Sequence, residues 1–86
     1  MRLDLFLKLS RLCSGRSLGQ KLCDAGLVLL NGRPAKPAHV VKEGDVIAVR
    51  RRDREIEVRV LTVPAARNVS KRDAKDLIAV LGEKQF

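Results

Sequence analysis

Arg16 and Ser17 stand together at the expected start of a helix, and that pair could grip a phosphate. Unpaired backbone amides and the helix dipole favour an anion there, and a guanidinium fork adds parallel hydrogen bonds. Ser17-Leu18-Gly19-Gln20 also fits a capping box, in which the serine hydroxyl accepts an amide and Gln20 reaches back. Covalent chemistry has much less to draw on. The chain has one histidine, His39, and its six glycines are widely separated. It lacks the spacings of a nucleophile elbow, a metalloprotease helix or a phosphate loop. Cys13 and Cys23 form no CxxC pair, so no zinc site is expected, and both thiols read as small buried hydrophobes. The chain is therefore expected to be no enzyme and to need no cofactor or metal.

Charge points the same way as Arg16. The 86 residues carry a net charge of +8. Residues 1–36 hold seven Lys/Arg against Asp4 and Asp24, whereas residues 37–86 hold eleven against eight acids. A basic N-terminal half with little neutralisation is an electrostatic footprint for phosphates. Phe6 and Phe86 are the two aromatic residues, and Phe6 lies in a helical core pattern. Single-strand binders stack bases on aromatic platforms, so a structured RNA, met through phosphates and 2′-hydroxyls, suits these residues better.

The elements that must position these groups follow from patterning. A chain of this length holds one domain, spanning residues 1–86, with a single small core. Apolar residues at 3, 6, 7 and at 5, 9, 12 predict a first helix from Leu3 to Leu12. Ser14-Gly15 interrupts it. A second helix is expected from Leu18 to about Ala25, burying Leu18, Leu22 and Cys23, with Gly26 ending it in a left-handed conformation. Leu27 to Leu30 reads as a strand, and Asn31-Gly32 as a type I′ hairpin turn. Pro34 and Pro37 make the return arm irregular. Glu43-Gly44-Asp45 is a turn into a strand at Val46–Val49, and Arg50–Arg54 reads as a charged loop. Ile56, Val58 and Val60 alternate with polar residues as in a half-buried strand closed by Pro64. Ser70 is placed to cap a last helix whose Ala74, Leu77, Ile78 and Leu81 share a face, with Gly82 at its end. The order is α-α-β-β-β-α: an α+β fold in which two N-terminal helices pack on a short antiparallel sheet, with a C-terminal helix. No apolar run approaches a membrane span, and the start Met1-Arg2-Leu3-Asp4 has no secretory core, so a cytoplasmic location is expected.

Arg2-Leu3-Asp4, Phe6-Leu7, Ser10-Arg11, Arg16-Ser17, Ala25-Gly26, Val28, Asn31-Gly32, Lys36 and Gly44-Asp45 together closely resemble the RNA-binding domain named after ribosomal protein S-four. The resemblance covers about residues 1–50, with residues 51–86 as a strand and helix extension. It implies one continuous RNA-binding surface made by the two helices and the hairpin. Carried over position by position, that surface comprises Arg2, Lys8, Arg11, Arg16, Ser17, Lys21, Asn31, Gly32 and Lys36. Asp4 is expected to orient a neighbouring arginine. Leu27 and Leu29 stand where relatives often carry polar or basic residues, which leaves open whether that strand faces RNA, a partner or the core.

Many members join this domain to a catalytic module, and none is expected here. Among stand-alone members the chain is most similar to the small factors of ribosome-associated quality control. That similarity implies binding to ribosomal RNA and tRNA on obstructed large subunits that carry peptidyl-tRNA. It also implies a partner that tails stalled chains with alanine, and a monomeric state away from membranes. The heat-shock members that recycle ribosomes are the nearest alternative. A DNA-binding regulator is a further one, although the second helix would offer base edges mainly Gln20, Lys21 and Asp24. A protein-interaction module using Leu27, Leu29 and the Arg50–Arg54 segment is the third.

Overall fold

The computed structural model describes residues 1–65 and 68–85. Helix α1 (Leu3–Leu9) and helix α2 (Arg16–Asp24) precede strands β1 (Val28–Leu30), β2 (Arg33–Pro34), β3 (Val46–Arg51) and β4 (Arg54–Val60). A single helical turn, α3 (Lys71–Ala74), runs through a 3₁₀ turn at Lys75–Leu77 into strand β5 (Ile78–Gln85). The strands form one antiparallel sheet in the order β2-β1-β3-β4-β5. The expected α+β class holds. Among the described residues no helix is long and apolar enough to cross a membrane.

Helix α1 buries Leu3, Phe6, Leu7 and Leu9 against Val28, Leu30, Ile47, Val49, Val58 and Val60 on one face of the sheet. Phe6 has no exposed surface. Burying such a side chain contributes about 1.5–3 kcal/mol, and its ring cannot serve as a stacking platform. Burial on helix α1 places Asp4, also fully enclosed, beside the apolar residues. The first amides of α1 are satisfied from far along the chain: Leu3 N–H donates to the His39 carbonyl and Asp4 N–H to that of Pro37. Helix α1 ends before Leu12. Arg11 takes a left-handed φ of 65° and its amide closes on the Lys8 carbonyl, while the Cys13 amide returns to Leu7. Leu12 still packs on the core, which explains why the apolar spacing overran the helix.

Helix α2 begins two residues earlier than expected, with Gly15 as its N-cap and no side-chain cap. The Ser17 capping box is thus absent, because Ser17 already lies inside the first turn. Leu22 and Cys23 are buried and Leu18 packs half-buried on the core. Gly19 lets the helices cross closely: a Cβ there would stand 3.4 Å from a Leu7 methyl. Gly26 has the anticipated positive φ of 75°. So do Asn31 at 52° and Gly32 at 84°, which make the two-residue turn between Leu30 and Arg33.

Two expectations for the second half are corrected. Arg50–Arg54 is no loop: the β3–β4 ladder continues to the pair Arg51↔Arg54, and Arg52-Asp53 alone make the turn. The C-terminal helix does not reach Gly82. Ser70 does cap α3, accepting the Asp73 amide at 3.1 Å, but from Ile78 the chain extends and pairs with β4 over its whole length. Ala74, Leu77 and Ile78 fit a helical face, yet β4 would otherwise expose a full row of unpaired amides and carbonyls. A bulge near Glu57/Val58 shifts the register, and Gly82 lies inside β5 opposite Glu57.

Candidate nucleic-acid interface

Asp4 sits fully buried where α1 crosses α2, and it organises the basic residues around it. Arg2 donates to both of its carboxylate oxygens at 3.2 Å, through Nε and Nη2. Arg16, from the first turn of α2, reaches the same oxygens at 3.3 and 3.4 Å. Gln20 lies one turn after Arg16 and donates from Nε2 to Oδ2 at 2.9 Å, while the Leu5 amide donates to Oδ1 at 2.8 Å. Burial on its own would raise the carboxyl's pKa. The hydrogen bonds from Gln20, Arg2, Arg16 and the Leu5 amide together outweigh it and hold the pKa below the ordinary value. The carboxylate is therefore ionised at neutral pH, and two arginines share one negative charge.

That sharing leaves an excess of positive charge at the surface. The Arg2 and Arg16 side chains are 50% and 42% exposed, so each presents unused N–H groups to the outside. Arg2, Lys8 and Arg16 line one depression of about 440 Å³ together with Leu5 and Asn68. Because no side chain caps α2, the amides of its first turn add to the same positive end. An anion with several oxygens, such as a phosphate diester, matches these donors.

The other sequence-predicted positions are distributed differently. Ser17 and Lys21 are exposed on α2, and Lys36 is exposed after β2. Asn31 and Gly32 form the hairpin tip, but the Asn31 side chain is used internally: its oxygen accepts the Val46 amide at 2.9 Å and its nitrogen donates to Asp45 at 3.1 Å. Asp45 in turn accepts the Lys42 amide at 2.8 Å. Arg11 is not among the residues that line the Arg2–Arg16 depression, and it donates to the Val69 carbonyl at 3.2 Å. Leu27 packs against the core, and Leu29 is half-buried on the opposite face, paired with Pro34 and Ala48. Sequence reasoning missed Gln20 and Asn68. Gln20 was detectable, since its i, i+4 spacing from Arg16 puts both on one side of α2; Asn68 arrives from a distant segment with no such signal.

The thiols take no part. Cys13 and Cys23 are free and buried. Burial, then the neighbouring Cys13 and the acids Asp24 and Asp4, push the Cys23 thiol up to about 11. Burial likewise raises Cys13, against a smaller opposing pull from Arg51.

Known proteins resemble this chain over most of its length. The family model of the S4 domain matches residues 1–47. The RQC P-site tRNA stabilizing factor of Halalkalibacterium halodurans is 39% identical over 98% of this chain and 93% of its own length. Its Bacillus subtilis counterpart is 35% identical, covering 100% of this chain and 98% of its own. Among solved structures, trimeric Heat Shock Protein 15 of Vibrio cholerae superposes with a TM-score of 0.84 at 29% identity, over 93% of this chain and 80% of that one. The hypothetical protein HP1423, solved in solution, superposes at 0.82 with 36% identity, over 95% and 98%.

Proposed function

This chain belongs to the S4 domain family, in the group of the RQC P-site tRNA stabilizing factors, and we propose that it is a non-catalytic RNA-binding factor of ribosome-associated quality control. The observation that carries this reading is the Arg2–Asp4–Arg16 cluster, which fixes two guanidinium groups beside an uncapped helix start. Such a site needs no bond-making residue. It holds an RNA backbone in place by charge and hydrogen bonding, and its fixed donors lose little side-chain freedom on binding.

In this role the chain binds large ribosomal subunits blocked by peptidyl-tRNA, touching tRNA and ribosomal RNA. It thereby supports a partner factor that extends the stalled chain with alanine, and it acts as a monomer in the cytoplasm. Contact with two RNAs at once would raise the effective concentration of each beside the other, which is how a small binder can stabilise a tRNA. The heat-shock reading draws on the backbone similarity to Heat Shock Protein 15. Higher identity and fuller mutual coverage favour the stabilizing factors.

The test is affinity capture of the chain from cells, with sequencing of bound RNA and immunoblotting for peptidyl-tRNA. Large-subunit RNA and tRNA with peptidyl-tRNA are expected. Recovery of messenger RNA, small-subunit RNA or no RNA would overturn the assignment.

A further inference from the structure

We propose that a second basic cleft, between Arg11 and the β3–β4 hairpin, binds a separate stretch of RNA backbone. The inference rests on the RNA-binding reading above and adds to it a contact outside the Arg2–Arg16 depression. The cleft has a volume of about 540 Å³. Arg11, Arg51, Arg52 and Arg54 line it, with Asp53 and Glu83 as its acids. Its apolar floor comes from Leu12, Val49 and Ile56.

The hairpin makes these arginines a fixed array. Arg51 and Arg54 are direct cross-strand partners, two positions beyond the pair Val49↔Ile56. By the alternation of strands they project from the same face as that apolar pair, toward Arg11 and Leu12. Like charges placed directly opposite each other destabilise a sheet. A neighbouring acid normally relieves such a pair, yet among the described residues no ion pair joins Arg51, Arg52 or Arg54 to Asp53 or Glu83. Two opposed arginines held on a regular ladder, with no ion pair among the described residues, are ready for an anion from outside.

The cleft adjoins the first depression. Lys8 lines one and Arg11 the other, and the Arg11 amide bonds the Lys8 carbonyl at 3.1 Å. Asn68 lines the first depression, while the next residue, Val69, accepts from the Arg11 guanidinium at the second. Two basic depressions therefore meet at this segment, as suits a structured RNA whose backbone passes the protein at more than one place. All four cations of the cleft are arginines, whose planar forks match phosphate oxygens better than lysine does. Continuity with the first depression favours RNA over an acidic protein.

The test uses the full chain and fluorescence anisotropy titrations across a salt series. Two probes are used: transfer RNA, and RNA extracted from large ribosomal subunits. Arg51→Ala/Arg54→Ala should weaken binding of at least one probe by about tenfold to a hundredfold and reduce the slope of log K against log[salt] by about two. Arg51→Lys/Arg54→Lys should recover most of the slope and only part of the affinity. Thermal unfolding should show the alanine variant at least as stable as the native chain, since like-charge repulsion is removed. Unchanged affinity and slope for both probes, with Arg2→Ala/Arg16→Ala still defective, would overturn the second contact and leave the first reading standing. Loss of an acidic protein from affinity capture, with RNA binding intact, would overturn it in favour of a protein partner. Failure of the native chain to bind either probe would overturn both.

Discussion

The Arg16 guanidinium on α2 lies 3.3 Å from the carboxylate of Asp4 on α1, and the same carboxylate holds Arg2. A single acid thus sets the separation of two cations that come from different parts of the chain. Its burial makes this a fixed arrangement, unlike a surface ion pair, whose long side chains lose freedom for little gain.

Arg2→Ala and Arg16→Ala should each weaken RNA binding by about tenfold or more, since each removes charge-assisted hydrogen bonds worth about 1.5–3 kcal/mol. Arg59→Ala, on an exposed position of β4 outside both depressions, should have a much smaller effect. Filter-binding titrations check the ranking, and equal losses at Arg16 and Arg59 would remove Arg16 from the site.

Asp4→Asn should weaken binding even though it makes the chain more positive, because it releases the two arginines. It should also destabilise the fold by about 1–3 kcal/mol. If net charge governed affinity, the variant would bind more tightly, and a titration at fixed salt distinguishes the two outcomes.

The same carboxylate gives a pH dependence of definite sign. Its pKa is lowered in the fold, so its contribution to stability is complete above the unfolded value of about 4 and is lost as pH falls through the folded value. Denaturant melts should show no contribution from Asp4 to the pH dependence between about pH 7 and pH 5. Below about pH 4 the native chain should lose stability more steeply than Asp4→Asn.

Association should depend steeply on salt. If about five phosphates are neutralised, log K should fall with log[salt] at a slope of roughly −3.5 to −4.5. A flat dependence would refute an electrostatic mode of binding.

The thiols should be inert in the folded chain. With Cys23 pushed up to about 11 and Cys13 also raised, alkylation at about pH 8 should be slow in native buffer and rapid in denaturant. Mass spectrometry of iodoacetamide-treated protein reads this directly.

Local signals in the sequence proved most legible where backbone geometry is set by neighbours. Asn31-Gly32 and Gly26 adopt the positive φ that their residue types permit, and the spacing of Leu3, Phe6 and Leu7 marks the face that is buried. The family resemblance implies that Asp4 orients a neighbouring arginine. That it also gathers Arg16 and Gln20 depends on how two helices cross, which no local pattern encodes. The segment after Leu77 departs from its local pattern for a related reason. Its apolar spacing suits a helix, but the unpaired edge of β4 decides the matter, and that edge is contributed by residues far away in the chain. The charge of Arg50–Arg54 suggests a solvated loop, whereas strand pairing continues to Arg51 and Arg54 regardless of polarity.

The chain around Arg2 is pinned by residues made later. The Val41 amide bonds the Met1 carbonyl, and the His39 and Pro37 carbonyls take the amides of Leu3 and Asp4. During synthesis the segment bearing Arg2 therefore lacks these backbone hydrogen bonds until residue 41 has left the ribosomal tunnel. A nascent copy of this chain is consequently without the finished frame around Arg2 while its own ribosome is still translating that stretch.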